Sequence, residues 1–351
     1  MGSNIKSMIK LPFMKKITML SMALLALFAC KSKQSDDKSN TTNTVVEEKI
    51  TSKTYAEISI AQGGEWVDGS RGHKEYNAGT SFKNINSLQV PKEHTDHSWF
   101  IRYEGPGWEN SQIGYRLYLD WRNAIDIFGK KVDSIVLPFV GQDGFDSYHE
   151  PAAWGQDILK AGKSMGIGGY GRLLNDTVAH FQSVKNTFAK VENLGKKSSV
   201  KISYEDWNTG NETINLNSEL TIYQQDRFTK AELTPSKEIT GICTGIVKFK
   251  NIPLIKKESE KWAYIATYGT QTVVNDTDKL GLAIFYNLDE VAEQKEGIND
   301  HLVIFKPTTK PLTYYFLGAW EQEANGIKTE EAFIADLNKK LENLENTNFI
   351  N

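Results

Sequence analysis

Short apolar or alternating runs recur along the chain, and turn-forming residues separate most of them. The runs occupy residues 98–103, 113–119, 134–140, 199–204, 219–224, 238–248, 262–268, 280–286, 302–305 and 312–320. Most are bounded by Gly, Pro, Asn or Asp, which is typical of strands joined by turns. The segments between them are mostly too polar for the helices that connect parallel strands. The pattern predicts a mainly β fold, an antiparallel β-sandwich with a few short helices.

Two segments have helical rather than strand periodicity. Residues 154–164 place three apolar side chains on one face, and residues 329–344 carry a longer apolar stripe that begins after Thr329 and two glutamates. We expect a short internal helix and a C-terminal helix that packs on the sandwich. The Gly-rich run 166–171 lacks the strand and helix that frame a nucleotide site, so we interpret it as a flexible loop. Residues 54–351 are predicted to form a single β-sandwich domain ending in the helix.

The first 29 residues have the organisation of a secretory signal. Lys15 and Lys16 end a basic stretch, and an apolar run over residues 17–28 stops just before Cys30. The run is shorter than the roughly 20 apolar residues that span a bilayer. The sequence Leu-Phe-Ala-Cys that ends at Cys30 resembles a lipobox, so we expect residues 1–29 to be removed and Cys30 to carry a lipid. An ordinary cleaved signal with an incidental cysteine is the alternative.

Residues 30–53 are rich in Ser, Thr, Asn, Lys and Asp and contain almost no large apolar side chain. Such a segment cannot bury enough surface to fold, which predicts a flexible tether behind the lipid anchor. A lysine followed by acidic residues near its start loosely resembles a surface-export signal. The prediction is an outer-membrane lipoprotein that faces the periplasm or the cell surface.

Charge and cysteine content exclude several partners and sites. Removal of residues 1–29 deletes four lysines and changes the formal net charge from −3 to −7. An acidic chain without basic clusters is not expected to bind nucleic acid. Cys30 and Cys243 are the only cysteines. Acylation of Cys30 therefore leaves no intrachain disulfide and no cysteine-based zinc site.

Arginine is concentrated in one block of the sequence. Four of the six arginines lie between residues 102 and 172: Arg102, Arg116, Arg122 and Arg172. Lysine supplies the charge elsewhere, so arginine in this block indicates a need for the planar fork that binds a carboxylate or sulfate through two hydrogen bonds. The alternative is that these arginines form structural ion pairs with Glu104, Asp120 or Asp126.

The same block contains the elements of a sugar site, which combines an aromatic platform with planar polar groups. Trp108 follows a Gly-Pro-Gly turn, and Trp121 is followed directly by Arg122 and Asn123. Burial in the core is the common alternative for either tryptophan.

Residues 142–150 form the densest polar cluster, directly after an apolar run where functional loops often lie. His149 can exchange a proton near neutral pH, and Tyr148 can act as an acid or a base. A histidine that braces the following helix is the alternative for His149. Asp143 and Asp146 could bind calcium, but an EF-hand-type loop needs more oxygen ligands than this spacing supplies.

His94 and His97 lie three residues apart in a loop-like segment, and no third metal ligand is indicated. The sequence also has no G-x-S-x-G, P-loop or H-E-x-x-H motif. No metal site and no cofactor are predicted.

Several separated motifs resemble, in the right order, a family of uncharacterised domains numbered 4861. They include residues 102–109, 114–120, 125–130 and 141–150, and the similarity extends over most of residues 55–345. Members are typically lipoproteins or secreted proteins of Bacteroidetes that occur among polysaccharide-degrading enzymes. The resemblance implies a sandwich like that of the galactose-mutarotase superfamily. One branch, associated with ulvan, implies an oligosaccharide dehydratase that works upstream of an unsaturated glucuronyl hydrolase.

Such a dehydratase removes water from a terminal uronic acid and leaves a 4,5-unsaturated sugar. It must neutralise the carboxylate, take the C5 proton and protonate the departing C4 hydroxyl. We assign Arg116 or Arg122 to the carboxylate, and His149 and Tyr148 to the base and the acid, in either order. Glu150 or Asp146 would orient His149. The residues expected to bind substrate are Trp108, Trp121, Asn123, Arg102, Asp143, Glu150 and Arg172.

Two other functions stay open from the sequence. A noncatalytic glycan-binding lipoprotein would need the aromatic and arginine side chains but no titrating pair. A polysaccharide lyase or epimerase would use similar residues on the same fold. In each case the expected partners are an anionic oligosaccharide and, through Cys30, a membrane.

Overall fold

The computed structural model describes residues 52–77, 81–143 and 147–350. The predicted signal peptide, Cys30, nearly all of the predicted tether and Asp146 lie outside these residues. Lipidation and location stay predictions. Within the described ranges, no helix has the length and apolar character needed to cross a membrane.

Strands account for most of the regular structure. In chain order they are β1 (Thr54–Gln62), β2 (Glu65–Asp68), β3 (Lys74–Asn77), β4 (Ser81–Ile85), β5 (Ser87–Gln89), β6 (Gly107–Asn110), β7 (Ile113–Leu117), β8 (Ile125–Lys130), β9 (Gly155–Asp157), β10 (Ile167–Leu174), β11 (Thr177–Ala179), β12 (Asn186–Asn193), β13 (Lys197–Thr209), β14 (Glu212–Tyr223), β15 (Thr229–Pro235), β16 (Ile242–Val247), β17 (Ile255–Glu258), β18 (Trp262–Gly269), β19 (Leu280–Asn287), β20 (Val291–Glu296), β21 (Asp300–Phe305) and β22 (Leu312–Trp320). Within the described part of the chain, one α-helix, α1 (Glu330–Thr347), follows them.

The strands of the described residues assemble into three larger sheets and a hairpin of β2 and β3. The six-stranded sheet has the order β4-β1-β6-β7-β8-β9, and the five-stranded sheet has the order β11-β10-β16-β21-β20. The nine-stranded sheet has the order β17-β18-β19-β22-β15-β14-β13-β12-β5. Antiparallel ladders join the strands within each sheet. The predicted mainly β, antiparallel sandwich is therefore confirmed.

One continuous apolar core holds the sheets together, with fully buried side chains from all three. Tyr115 on β7 shows the contact between the six- and nine-stranded sheets. Its ring packs edge-on against Phe316 on β22 at 5.3 Å, and its hydroxyl accepts a hydrogen bond from the Gly318 amide at 3.1 Å. The core thus fixes β7, which also carries Arg116, against the nine-stranded sheet.

The predicted C-terminal helix is present as α1. Thr329 is its N-cap, and the Thr329 hydroxyl accepts a hydrogen bond from the Ala332 amide at 3.2 Å. Phe333 and Leu337 on the apolar stripe are fully buried against aromatic and aliphatic side chains of β18, β19 and β22. The helix therefore covers a face of the nine-stranded sheet, as the sequence predicts.

The predicted helix over residues 154–164 is wrong. This segment contains β9, which pairs with β8. Gly155 has a φ of 134°, and a Cβ atom there would lie 1.8 Å from the Gly129 carbonyl oxygen. Sheet pairing and close backbone approach therefore override the helical spacing.

The predicted flexible loop over residues 166–171 is also wrong, because Ile167–Leu174 forms the buried strand β10. Gly168 has a φ of 69°, and a Cβ atom there would lie 2.3 Å from the ring of Phe316. Glycine is needed here because a strand passes directly over an aromatic ring.

The predicted strands over residues 134–140 and 98–103 contain tight turns instead. Residues 137–139 form a 3-10 turn with Pro138 near its start. The Oε1 atom of Glu109 accepts hydrogen bonds from the amides of Val136 and Leu137, at 2.8 and 2.6 Å. Residues 102–104 also form a 3-10 turn. At Val136 and Leu137, the buried Glu109 carboxylate thus accepts from backbone amides that would otherwise bond to a neighbouring strand.

Candidate active site

Arg116 is the centre of a buried cluster on the six-stranded sheet. It lies on β7 directly opposite Asp126 on β8, and both side chains are almost fully buried. The Arg116 Nη2 atom donates to Oδ2 of Asp126 at 3.1 Å and to Oδ2 of Asp157, on β9, at 2.5 Å. The hydroxyls of Tyr118 and Tyr148 accept from Nη2 and Nη1, each at 3.0 Å. These five residues are called the Arg116 cluster below.

His149 lies at the exposed edge of this cluster, in the 3-10 turn Ser147–His149. Its Nδ1 atom is 3.1 Å from Oδ2 of Asp157, and its side chain is 45% exposed. With the carboxylate oxygen as the acceptor of this contact, Nδ1 is the donor, and Nε2 is the ring nitrogen that can exchange a proton with a substrate. The rings of His149 and Tyr148 are 4.4 Å apart. The turn therefore combines an oriented base with a neighbouring phenol.

Burial sets the protonation states of the Arg116 cluster. It raises the pKa of Tyr148 to about 12 although Arg116 acts in the opposite direction, so the phenol keeps its proton at neutral pH. Burial, with repulsion from Asp157, also raises the pKa of Asp126 to about 7. Tyr148 is therefore suited to donate a proton, and Asp126 holds a proton over much of the acidic range.

Arg122 is the centre of a second cluster, with Asp96, His97, Glu104 and Asp120, called the Arg122 cluster below. Its Nη1 atom lies 2.9 Å from Asp96, and its Nη2 atom lies 3.0 Å from Glu104 and 2.5 Å from Asp120. Burial alone would raise the pKa of Glu104, but Arg122 and Arg116 lower it to about 2. Glu104 is thus ionised throughout the physiological range.

The two clusters meet at Tyr118. The guanidinium carbon of Arg122 is 4.0 Å from the centroid of the Tyr118 ring, and that of Arg116 is 4.8 Å from it. Within the described residues, the two arginines face five carboxylates: Asp96, Glu104, Asp120, Asp126 and Asp157. Both guanidinium groups are therefore neutralised by the protein itself.

Backbone strain concentrates around the Arg122 cluster. His97, Trp99, Tyr103, Glu104 and Asn123 all have a positive φ, between 41° and 68°. Each such conformation costs about 1–3 kcal/mol and persists where the surroundings enforce it. Strain of this kind is common at functional sites, which supports a functional role for this region.

Asp96, His97 and Glu104 also include the donor types of a metal site. One ligand atom of each lies within 4.8 Å of the others. Of the two histidines considered from the sequence, only His97 belongs to this set, because His94 Nδ1 lies 2.8 Å from the Ser98 hydroxyl instead. However, Arg122 already contacts both carboxylates, so a metal ion would have to displace a guanidinium group that is bound through several short contacts. Asp96 and Glu104 are therefore better explained as partners of Arg122 than as ligands of a metal ion.

Trp121 lies between Asp120 and Arg122 in the sequence and forms part of the wall of an open cavity of about 770 Å³. The indole is 38% exposed, which is unusual for tryptophan. Lys92, Asp120, Asn186 and Thr187 also line the cavity. An exposed indole beside polar and cationic side chains is suited to bind a sugar, as the sequence predicts for Trp121. Neither His149 nor Tyr148 lines this cavity.

Four predicted substrate-binding residues are structural instead. Trp108 is fully buried, stacks on Tyr115 and donates to the Thr229 hydroxyl at 2.9 Å, so it is a core residue. Asn123 is buried and donates to the Tyr170 carbonyl at 3.1 Å.

The other two are arginines held by the protein. Arg102 is buried in an ion pair with Glu57. Arg172 lies on β10, in the five-stranded sheet, where it donates to Glu212 at 2.6 Å and to two backbone carbonyls. These two arginines therefore form structural ion pairs, as the sequence alternative proposed, but their partners are Glu57 and Glu212 and not Glu104, Asp120 or Asp126.

The predicted catalytic roles also need correction. In this arrangement Arg116 and Arg122 are buried or nearly so and already pair with protein carboxylates, so their charges are engaged within the protein rather than presented to a substrate carboxylate. All three partners that the sequence suggested are among them, since Arg116 pairs with Asp126 and Arg122 pairs with Glu104 and Asp120. Asp157, rather than Glu150, orients His149. Asp157 was missed because it lies in the segment predicted to be a helix.

Asp143 and Glu150 flank the His149 turn as exposed side chains. The Asp143 carboxylate accepts from the Ser147 hydroxyl, which braces the start of the turn. Their predicted contact with substrate stays a prediction.

The sequence matches a family model described as Domain of unknown function (DUF4861) over residues 23–348. No curated protein matches it. The matched range includes every strand of the described residues, both clusters and all of α1. The chain therefore belongs to the DUF4861 family.

Proposed function

We propose that the protein is an oligosaccharide dehydratase that removes water from a terminal uronic acid of an ulvan-type oligosaccharide. The observation that carries the proposal is the Asp157–His149–Tyr148 arrangement. It pairs an exposed, oriented imidazole with a protonated phenol, which are the base and the acid that elimination requires.

In the proposed reaction, Nε2 of His149 takes the C5 proton and the C4–O bond breaks as the C4–C5 double bond forms. The Tyr148 hydroxyl gives its proton to the departing oxygen, which leaves as water. The proton on His149 then returns to the Tyr148 oxygen, whose ring is adjacent. Arg116 donates to that oxygen, which stabilises the transient phenolate.

Neither His149 nor Tyr148 lines the Trp121 cavity, so binding of the sugar units that do not react is assigned to that cavity, and the reacting uronic acid is assigned to His149. Lys92 and Lys185 line the cavity, and because Lys185 pairs with Asp206 at 3.1 Å, Lys92 supplies the positive charge for an anionic sugar. This assignment replaces the predicted use of Arg116 and Arg122. The proposed setting is a lipoprotein of a bacterium that degrades polysaccharides, with the product passing to an unsaturated glucuronyl hydrolase.

A noncatalytic glycan-binding lipoprotein is the second candidate, because the Trp121 cavity contains neither member of the proton-transfer pair. A single incubation separates the two, with the purified mature protein and uronate-terminated ulvan oligosaccharides. Loss of the mass of one water with a gain in the absorbance of unsaturated uronate supports the dehydratase. Absorbance gain with chain cleavage indicates a polysaccharide lyase. Binding without any change in mass indicates the glycan-binding protein.

A further inference from the structure

His301 lies on β21, which is next to the edge strand β20 in the five-stranded sheet. It is directly opposite Ile246 on β16 and Glu296 on β20. Directly opposite residues of an antiparallel pair point to the same face of a sheet. The imidazole is therefore flanked by an aliphatic side chain on one side and a carboxylate on the other.

The imidazole is buried without a partner. His301 is 5% exposed, and among the described residues neither Nδ1 nor Nε2 has a hydrogen-bond partner. Buried polar side chains in folded proteins nearly always have one. His301 is thus a polar group whose hydrogen bonds the protein does not supply.

His301 lines a cavity of about 500 Å³ beneath residues 248–254. Lys248, Lys250 and Glu296 supply the charged part of the lining. The Lys248 Nζ atom donates to Glu296 at 3.1 Å and to the Gly297 carbonyl at 2.9 Å, so the charges of Lys248 and Glu296 balance each other. Lys250 is exposed and leaves the cavity with a net positive charge.

We propose that this cavity is an oxyanion-binding site, in which His301 donates a hydrogen bond to a carboxylate or sulfate group and Lys250 balances its charge. The site is separate from the Arg116 cluster and does not depend on the proposed dehydratase activity. An anionic substituent of a sugar has this chemistry, as does the free anion.

The site has an expected pH dependence. Burial lowers the pKa of His301, Glu296 opposes this effect, and Lys248 and Lys256 add to it. The free imidazole is therefore neutral at neutral pH. Because an oxyanion stabilises the imidazolium, affinity should rise as the pH falls from about 7.5 to about 5.5.

The test uses the mature protein with its histidines labelled with ¹⁵N, and the His301 signals are identified by their loss in His301→Gln. Sodium sulfate, sodium glucuronate and neutral glucose are added separately at matched ionic strength, with sodium chloride as the reference. Selective shifts of the His301 signals with sulfate or glucuronate, at a Kd on the order of 1 mM, support the proposal. Comparison of those two ligands shows which oxyanion is preferred.

Lys250→Ala should weaken binding several-fold, whereas Lys310→Ala, at an exposed lysine outside the cavity, should leave it unchanged. Both substitutions are on the surface and should leave the thermal unfolding curve in place. The proposal is overturned if the His301 signals respond no more to sulfate and glucuronate than to chloride. It is also overturned if the two lysine variants bind equally well.

Discussion

The Oδ2 atom of Asp157 lies 3.1 Å from Nδ1 of His149 and accepts from Nη2 of Arg116 at 2.5 Å. A single oxygen thus joins the exposed imidazole to the buried guanidinium group. The shared oxygen fixes the tautomer of His149 and links its position to the packing of Arg116. The proposed base therefore depends on three strands, β7, β8 and β9.

Asp157→Asn should remove most activity without removing the fold. The asparagine side chain can present its amide nitrogen to His149, which favours the wrong tautomer, so kcat should fall by about 10²–10⁴-fold. Asp276→Asn, which changes an exposed carboxylate, is the control and should keep wild-type kcat. Equal kcat in the two variants would show that Asp157 does not position His149.

The raised pKa of Asp126, about 7, predicts an unusual pH dependence of stability. Between about pH 4 and about pH 7 the folded chain holds a proton that the unfolded carboxyl, with a pKa near 3.9, has released. The free energy of unfolding should therefore fall as the pH rises through this window and then level off.

Asp126→Asn removes the contribution of this group. The free energy of unfolding of both proteins is measured in urea at about pH 5 and about pH 7.5. The wild-type value minus the variant value should be smaller at the higher pH. Other buried acids, such as Asp300, are unchanged in the variant and cancel in the comparison. A difference that is independent of pH would show that Asp126 is ionised at both values.

Trp121 and Trp108 should respond in opposite ways to alanine substitution. Trp121→Ala removes an exposed ring from the cavity, so oligosaccharide affinity should fall roughly tenfold, or 1.4 kcal/mol, with little change in stability. Trp108→Ala removes a fully buried ring and should lower the free energy of unfolding by about 3–5 kcal/mol. Calorimetric binding and urea unfolding measure the two effects. If Trp121→Ala binds the oligosaccharide as tightly as wild type, the sugar does not bind in the Trp121 cavity.

Arg122→Lys should destabilise the protein although it keeps the charge. Lysine cannot bridge Asp96, Glu104 and Asp120 together, so we expect a loss of about 3 kcal/mol in the free energy of unfolding. Lys310→Ala is a surface control with an expected change below about 0.5 kcal/mol. If Arg122→Lys lowers the free energy of unfolding no more than this control does, the ion pairs of Arg122 do not stabilise the fold.

Elements defined by local chemistry could be predicted from the sequence. The strand over residues 312–320 and the helix after Thr329 follow from alternation and capping, and the structure has both. The segment after Trp154 and the run 166–171 could not be predicted, because close approach of distant backbone or rings decides their conformation.

In the candidate site, too, the residues set by local sequence could be predicted and those brought in by distant contacts could not. His149 and Tyr148 stand out in the sequence because they lie in a polar cluster. Their partner Asp157 comes from a separate strand, and only sheet pairing brings it to His149. The concentration of arginine in residues 102–172 does predict carboxylate binding, but the carboxylates that these arginines bind belong to the protein.

The central claim is that His149 removes the C5 proton of a terminal uronic acid. The most direct test compares wild type with His149→Gln on a uronate-terminated oligosaccharide and follows the loss of one water by mass spectrometry. We expect dehydration by the wild type and a rate at least about 10²-fold lower in the variant, with the unfolding curve unchanged. Dehydration by His149→Gln at the wild-type rate would contradict the assignment.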